Sequence, residues 1–195
     1  MLFYLAPMEG ITGYIVRNAY AHYFPYIDKY FTPFIPAAKK MSKKIKRDLA
    51  AENNEQIRLV PQLIGNRADE FLMMIRQLEE LGFTSVNLNF GCPSGTVVSK
   101  RKGAGFLADP KELEMLLEEV LEKSPLAVSV KTRVGIKDPD EWEALCGVYV
   151  KFPLEELIIH PRLQNDYYSG TPRMETFARA LEQIHVPLCY NGDIC

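Results

Sequence analysis

Apolar residues along the chain gather into short β-rich runs separated by stretches with helical spacing. The runs cover residues 2–6, 29–34, 58–64, 84–89, 126–132, 155–160 and 186–191. They read as continuously apolar rather than alternating, as in Leu157-Ile158-Ile159. That pattern belongs to parallel strands covered by helices. Helices are predicted between them, most clearly over 68–81 and 111–123. In the first, Phe71, Met74, Ile75, Leu78 and Leu81 recur at helical spacing, and Gly82 follows as a terminating glycine. Asp109-Pro110 opens the second, a capping residue followed by proline at the first helical position.

Seven strands alternating with helices predict a TIM (β/α)8 barrel truncated after its seventh strand, with a doubly wound open sheet as the runner-up. The chain has 195 residues, against ~250 for a complete barrel. No internal repeat, low-complexity tract or linker divides it, so residues 1–195 read as one incomplete barrel. Such a barrel leaves edges on its first and seventh strands, which soluble proteins avoid. The chain is therefore expected to be a fragment.

Composition narrows the class. With 47% hydrophobic and 25% charged residues the chain is an ordinary globular one. It holds no apolar run long enough for a membrane helix, and its N-terminus lacks a basic region and a cleavage site. Four cysteines without paired spacing disfavour a disulfide framework and a zinc site, so no metal is expected and the setting is read as cytoplasmic. The net charge is only −2, but six of the nine residues from 39 to 47 are basic and none is acidic. Lys100-Arg101-Lys102 forms a second cluster. On charge alone each is either a phosphate footprint or a solvated face.

In such barrels chemistry sits at the C-terminal ends of the strands. Those ends carry Pro7-Met8, Gln62, Asn89, Lys131, His160 and Asn191-Gly192-Asp193. One polar strand end is commonplace, but polar ends on five strands converge on one mouth. After the fourth strand Gly91 and Pro93 flank Cys92, whose thiol can act as nucleophile or acid. Cys146 and Cys189 lie in a helix and a strand and read as small core residues, and Cys195 has no comparable setting. Gly103-Ala104-Gly105-Phe106-Leu107-Ala108 matches a dinucleotide-binding pattern but follows no strand, so its context fails. A Cys92–His160 hydrolytic pair lacks an orienting acid and an oxyanion motif.

The elements Ala6-Pro7-Met8-Glu9-Gly10, Asn89-Phe90-Gly91-Cys92-Pro93, Val130-Lys131-Thr132-Arg133, His160-Pro161-Arg162 with Tyr168 and Gly170, and Asn191-Gly192-Asp193-Ile194 occur in that order. Together they resemble the tRNA-dihydrouridine synthases, flavin enzymes that reduce uridine in tRNA, over essentially the whole chain. The resemblance implies FMN as cofactor, NADPH as reductant and tRNA as partner. It implies hydride delivery to C6 of uracil, with Cys92 giving the proton to C5. Pro7, Met8, Gln62, Lys131, His160, Asn191, Gly192 and Asp193 would line the flavin site. Asn89 would hold the base, and Lys43, Lys44, Lys46, Arg101 and Arg162 would meet the tRNA. A helical tRNA-binding domain follows the barrel in the family and is expected to be missing here. The alternatives are a flavin barrel reductase of a free pyrimidine or enone, and a non-catalytic tRNA-binding fragment.

Overall fold

The computed structural model describes residues 1–194. Its strands are β1 (Tyr4–Leu5), β2 (Lys29–Phe31), β3 (Ile35–Pro36), β4 (Leu59–Val60), β5 (Gln62–Ile64), β6 (Ser85–Phe90), β7 (Ala127–Arg133), β8 (Leu157–His160) and β9 (Leu188–Tyr190). The α-helices are α1 (Tyr14–Tyr23), α2 (Lys43–Leu49), α3 (Ala68–Glu80), α4 (Gly95–Val98), α5 (Pro110–Lys123), α6 (Glu141–Tyr149) and α7 (Met174–Gln183). Every strand pair is parallel, in the orders β1-β2-β4 and β3-β5-β6-β7-β8-β9. The order follows the chain without reversal, whereas a doubly wound sheet must reverse at its switch point. The fold is an open (β/α) barrel.

The second and third predicted strands each split in two, at Pro33 and Pro61. Proline has no N–H to give a ladder. Two bonds carry the wall across the breaks: Gln62 N donates to Thr32 Oγ1 at 3.0 Å, and Asn87 N to the Pro61 carbonyl at 2.9 Å. The two sheets are thus pieces of one curved wall. Among the described residues no backbone pairing joins β1 to β9.

Side chains span that opening at the N-terminal end of the barrel. Buried Glu156 accepts from the Tyr4 hydroxyl at 2.6 Å and lies 3.1 Å from Lys29 Nζ. Above this triad Phe31, Val60 and Ile158 fill the interior with Tyr4 and Cys189. A larger core lies outside the strands. There Leu63, Val86, Leu88, Phe90, Val128, Val130, Leu157 and Ile159 face the helices. β6 and β7 therefore alternate, contrary to the continuous apolar reading, whereas β8 is apolar on both faces, with Ile158 inward. On β6 and β7 the inward positions are Asn87, Asn89, Ser129 and Lys131.

The predicted helix signals hold at three of four points. Asp109 Oδ1 accepts from Lys111 N and Glu112 N, and Gly82 takes φ +87°. Phe71, Met74, Ile75 and Leu78 are buried on α3, but Leu81 lies past its end and is exposed. Among the described residues no helix is long and apolar enough to cross a membrane. Cys92, Cys146 and Cys189 are free thiols, with Cys146 buried on α6, while Cys195 lies outside the described residues.

Candidate active site

A cavity of about 610 Å³ opens where the C-terminal strand ends converge, within the size range of cofactor sites. Pro7, Met8, Gln62, Asn89, Cys92, Lys131, His160, Arg162, Asn191, Gly192 and Asp193 all line it. Lys43, Lys44, Lys46 and Arg101 do not.

A chain of side-chain hydrogen bonds runs across three strands inside the barrel and reaches the cavity at Gln62 and Asn89. Ser129 Oγ donates to the Val86 carbonyl and accepts from Asn87 Nδ2 at 2.9 Å. Asn87 Oδ1 accepts from Gln62 Nε2 at 2.8 Å, and Gln62 Oε1 from Asn89 Nδ2 at 2.7 Å. Asn89 Oδ1 then accepts from the backbone N–H groups of Gly91 and Cys92 at 3.0 and 2.9 Å. All the bonds point one way. Each rung needs a group that donates and accepts at once, an amide at Asn87, Gln62 and Asn89 and a hydroxyl at Ser129. The resemblance gives Asn89 a substrate base to hold, but its immediate task is to fix the Cys92 loop. Gln62 is fully buried and its amide is already engaged on both sides.

The Gly103–Ala108 turn holds the same loop from behind. Ala104 N donates to the Cys92 carbonyl at 3.0 Å. Gly103 adopts φ +54°, and a Cβ there would stand 2.8 Å from that carbonyl oxygen. A Cβ on Gly105 would stand 2.8 Å from the Val98 carbonyl oxygen. The glycines of the dinucleotide-like motif are close-approach positions in a buttress, which explains why the pattern occurs without its usual context.

Beside this loop, on and after β7 and β8, stand Lys131, Arg133, His160 and Arg162. Arg133 is buried and donates to the Gly91 carbonyl through Nε (3.0 Å) and to the Leu163 carbonyl through Nη1 (2.7 Å). The resemblance gives Arg162 to the tRNA, yet it is buried and already occupied. Its Nη1 and Nη2 reach the two Asp193 carboxylate oxygens at 2.9 and 2.7 Å, and the Gly170 carbonyl accepts as well. Arg162 and Asp193 therefore brace the loops after β8 and β9 against each other. Arg162 Nη1 also donates to His160 Nε2 at 3.2 Å, so that nitrogen carries no proton. Burial first, and then the charges of Arg133, Lys131 and Arg162, push the His160 pKa down to about 3. His160 is a neutral ring.

Lys131 differs from its cationic neighbours. Burial, and then the charge of Arg133, lower its pKa to about 8. Among the described residues it has neither a hydrogen-bond acceptor nor a carboxylate partner, and its side chain faces the cavity. Lys131 is half-buried, and charges withdrawn from water are otherwise paired. The site thus offers a cation to an anionic or electron-rich group in the same cavity as a thiol on a braced loop.

Other expectations are refined by where backbone groups point. Met8 N donates to Thr12 Oγ1, and the Met8 carbonyl accepts from Ile11 N and Thr12 N. The Met8 backbone N–H and carbonyl are therefore already engaged, and its side chain is exposed at the cavity. Asn191 N is taken by the Ile159 carbonyl, and Gly192 packs against the Tyr190 ring. Arg101 pairs with Glu112 on the surface. Lys43, Lys44 and Lys46 are exposed on α2, with no acidic partner among the described residues.

Phe34 and Tyr167 also line the cavity, and sequence reasoning missed both. Phe34 ends the second predicted strand and was legible by that position. Tyr167, at φ +51°, follows a short turn that sequence does not mark. Among the described residues no cluster of His, Cys, Asp and Glu is arranged to hold a metal ion.

Residues 4–195 match the family described as dihydrouridine synthase (Dus). The tRNA-dihydrouridine(16) synthase of Pseudomonas putida is 31% identical over 97% of this chain and 61% of its own length. The probable tRNA-dihydrouridine synthase of Staphylococcus epidermidis is 29% identical over 84% of this chain and 51% of its own length. The probable tRNA-dihydrouridine synthase 2 of Bacillus subtilis is 30% identical, over 82% and 50%. The chain spans about half the length of the curated relatives it matches. A variant of NCR from Zymomonas mobilis superposes with a TM-score of 0.62 at 11% identity, covering 99% of this chain and 75% of that one. That likeness carries the fold alone. With a match reaching from β1 through β9, this chain belongs to the dihydrouridine synthase family.

Proposed function

We propose that the cavity binds FMN and that the protein containing this chain reduces uridine to 5,6-dihydrouridine in tRNA, with NADPH as reductant. One observation carries the reading: Lys131 faces the cavity as an unpartnered cation, on the strand next to the one that leads into Cys92 and its Asn89-fixed loop. Lys131 would sit beside the flavin ring and stabilise its negative charge on reduction. His160, Gln62, the Met8 side chain and the Asn191–Gly192 turn would form the rest of its bed. Reduced FMN, when bound, supplies a hydride to C6 of the uracil.

Cys92 completes the reduction. Its S–H bond breaks, and the proton goes to C5 from the face opposite the ring. The thiolate left behind regains a proton from solvent. The Asn89 bonds to Gly91 N and Cys92 N keep the thiol at a fixed height above the mouth. Neutral His160 is no competing acid at physiological pH. The target base must leave its stack to reach the thiol, and exposed Lys43, Lys44 and Lys46 would meet tRNA phosphates near the mouth. A reducing, cytoplasmic setting suits a working free thiol.

Titration of FMN into the chain, followed by flavin fluorescence, tests the cofactor reading. One equivalent should bind, and Lys131→Met should weaken binding of the reduced form. Absence of binding, or a Lys131→Met variant with unchanged affinity in both redox states, refutes it. A protein that binds FMN and reduces free uridine as fast as tRNA would be the small-molecule reductase instead.

A further inference from the structure

A second cavity of about 540 Å³ lies beside the first, between α1 and α2, and shares Glu9 and Phe34 with it. Ile15 and Ile45 give it apolar walls, and Lys44 and Arg47 stand on its rim. Neither cation has a carboxylate partner among the described residues. The Arg47 guanidinium lies 6.0 Å from the centre of the Tyr14 ring. Of the two carboxylates present, Asp48 is taken by Arg17 Nη1 and Tyr14 N. Glu9 stands exposed on the edge shared with the first cavity.

We propose that this groove is a second nucleotide subsite, taking the base of a single-stranded RNA residue next to the target uridine and its phosphate on Lys44 and Arg47. The proposal rests on reading the first cavity as the seat of that uridine. Bases stack on aromatic and apolar surfaces, cations take the backbone, and single-stranded RNA presents both at every residue. A peptide or lipid occupant would satisfy the apolar walls or the cations, but RNA satisfies the two at one-residue spacing. The cavities share Glu9 and Phe34 and so adjoin, which lets consecutive nucleotides of one strand occupy them. Glu9 repels phosphate, so the backbone must run along α2, and its carboxylate is left to accept from a base N–H such as N3–H of uracil. Occupancy here would help hold the target base out of its stack.

The test uses 5′-fluorescein hexauridylate and uridine monophosphate on the full chain with FMN present. Hexauridylate should bind more tightly than the monophosphate. Ile15→Glu places a carboxylate in the groove from a position already 68% exposed, so the fold is spared. It should weaken hexauridylate binding about 5- to 150-fold, the scale of one base stack removed. Protection of Cys92 from alkylation by the monophosphate should persist in that variant. Lys44→Ala with Arg47→Ala should also lower the salt slope of hexauridylate binding by ~0.7 for each phosphate that no longer meets a cation.

Wild-type affinity in both variants overturns the proposal, as does hexauridylate binding no tighter than the monophosphate. Equal competition by inorganic polyphosphate of matched charge also overturns it, since the groove would then read charge alone. Failure of the monophosphate to protect Cys92 in the wild type refutes the reading of the first cavity instead, and the hexauridylate comparison still decides the groove.

Discussion

Replacing Gln62 by methionine cuts the interior hydrogen-bond chain in the middle while nearly conserving volume. The side chain is fully buried, donates to Asn87 Oδ1 at 2.8 Å and accepts from Asn89 Nδ2 at 2.7 Å. Gln62→Met leaves one buried polar atom on each partner, Asn87 Oδ1 and Asn89 Nδ2, without its bond. Each orphaned group costs ~1–3 kcal/mol, so the pair should cost ~2–6 kcal/mol, a large part of the ~5–15 kcal/mol typical of a domain. For a chain of this size ~2–4 °C is lost per kcal/mol, which places the fall in melting temperature at about 4–24 °C. Freed from Gln62, Asn89 can rotate, and its grip on Gly91 N and Cys92 N loosens. Alkylation of Cys92, mapped by mass spectrometry against Cys189 in the same sample, should therefore change in rate while Cys189 does not. A loss under ~1 kcal/mol in a denaturant melt, with Cys92 reacting as in the wild type, would refute the positioning argument.

Other outcomes follow from the same site. Lys131 titrates near pH 8 in the free protein, and a negative ring beside it holds the proton on. Affinity for reduced FMN should be flat below about pH 8 and fall by up to ~10-fold per pH unit above it, a dependence that Lys131→Met abolishes. His160 stays neutral down to about pH 3, whereas in the unfolded chain it charges below its ordinary value of 6.5. Between those values the unfolded state binds more protons, so His160 lowers stability as pH falls, by up to ~1.4 kcal/mol per pH unit; urea melts of His160→Gln should lack that slope. Gly103→Ala forces a Cβ to 2.8 Å from the Cys92 carbonyl oxygen at positive φ, and left-handed backbone alone costs ~1–2 kcal/mol. It should lower the melting temperature and alter Cys92 alkylation, while Gly95→Ala, whose Cβ meets nothing within 4 Å, should do neither.

Strand ends and helix caps were legible because they depend on neighbours in sequence. Asp109-Pro110 and Gly82 are local devices, and the polar strand ends converge in any barrel. The inward alternation of Asn87, Asn89, Ser129 and Lys131 is written in the sequence, but which face is inside depends on closing the sheet. Pairings across long separations left no trace. Arg162 finds Asp193 31 residues on, and nothing local marks that its charge is used up. The Gly103–Ala108 motif misleads for a related reason: its glycines answer to the backbone of Cys92 and Val98 rather than to a ligand. Pro33 and Pro61 were visible, yet that they split two strands follows only from the ladder they interrupt.

The central claim is that Cys92 delivers the proton that completes reduction of the base. Single-turnover formation of dihydrouridine in tRNA by the FMN-loaded protein containing this chain, wild type against Cys92→Ala, tests it most directly. The account predicts unchanged FMN content and product formation slower by ~10²–10⁴-fold, the scale of a lost general acid. Product formation at the wild-type rate in Cys92→Ala would contradict it.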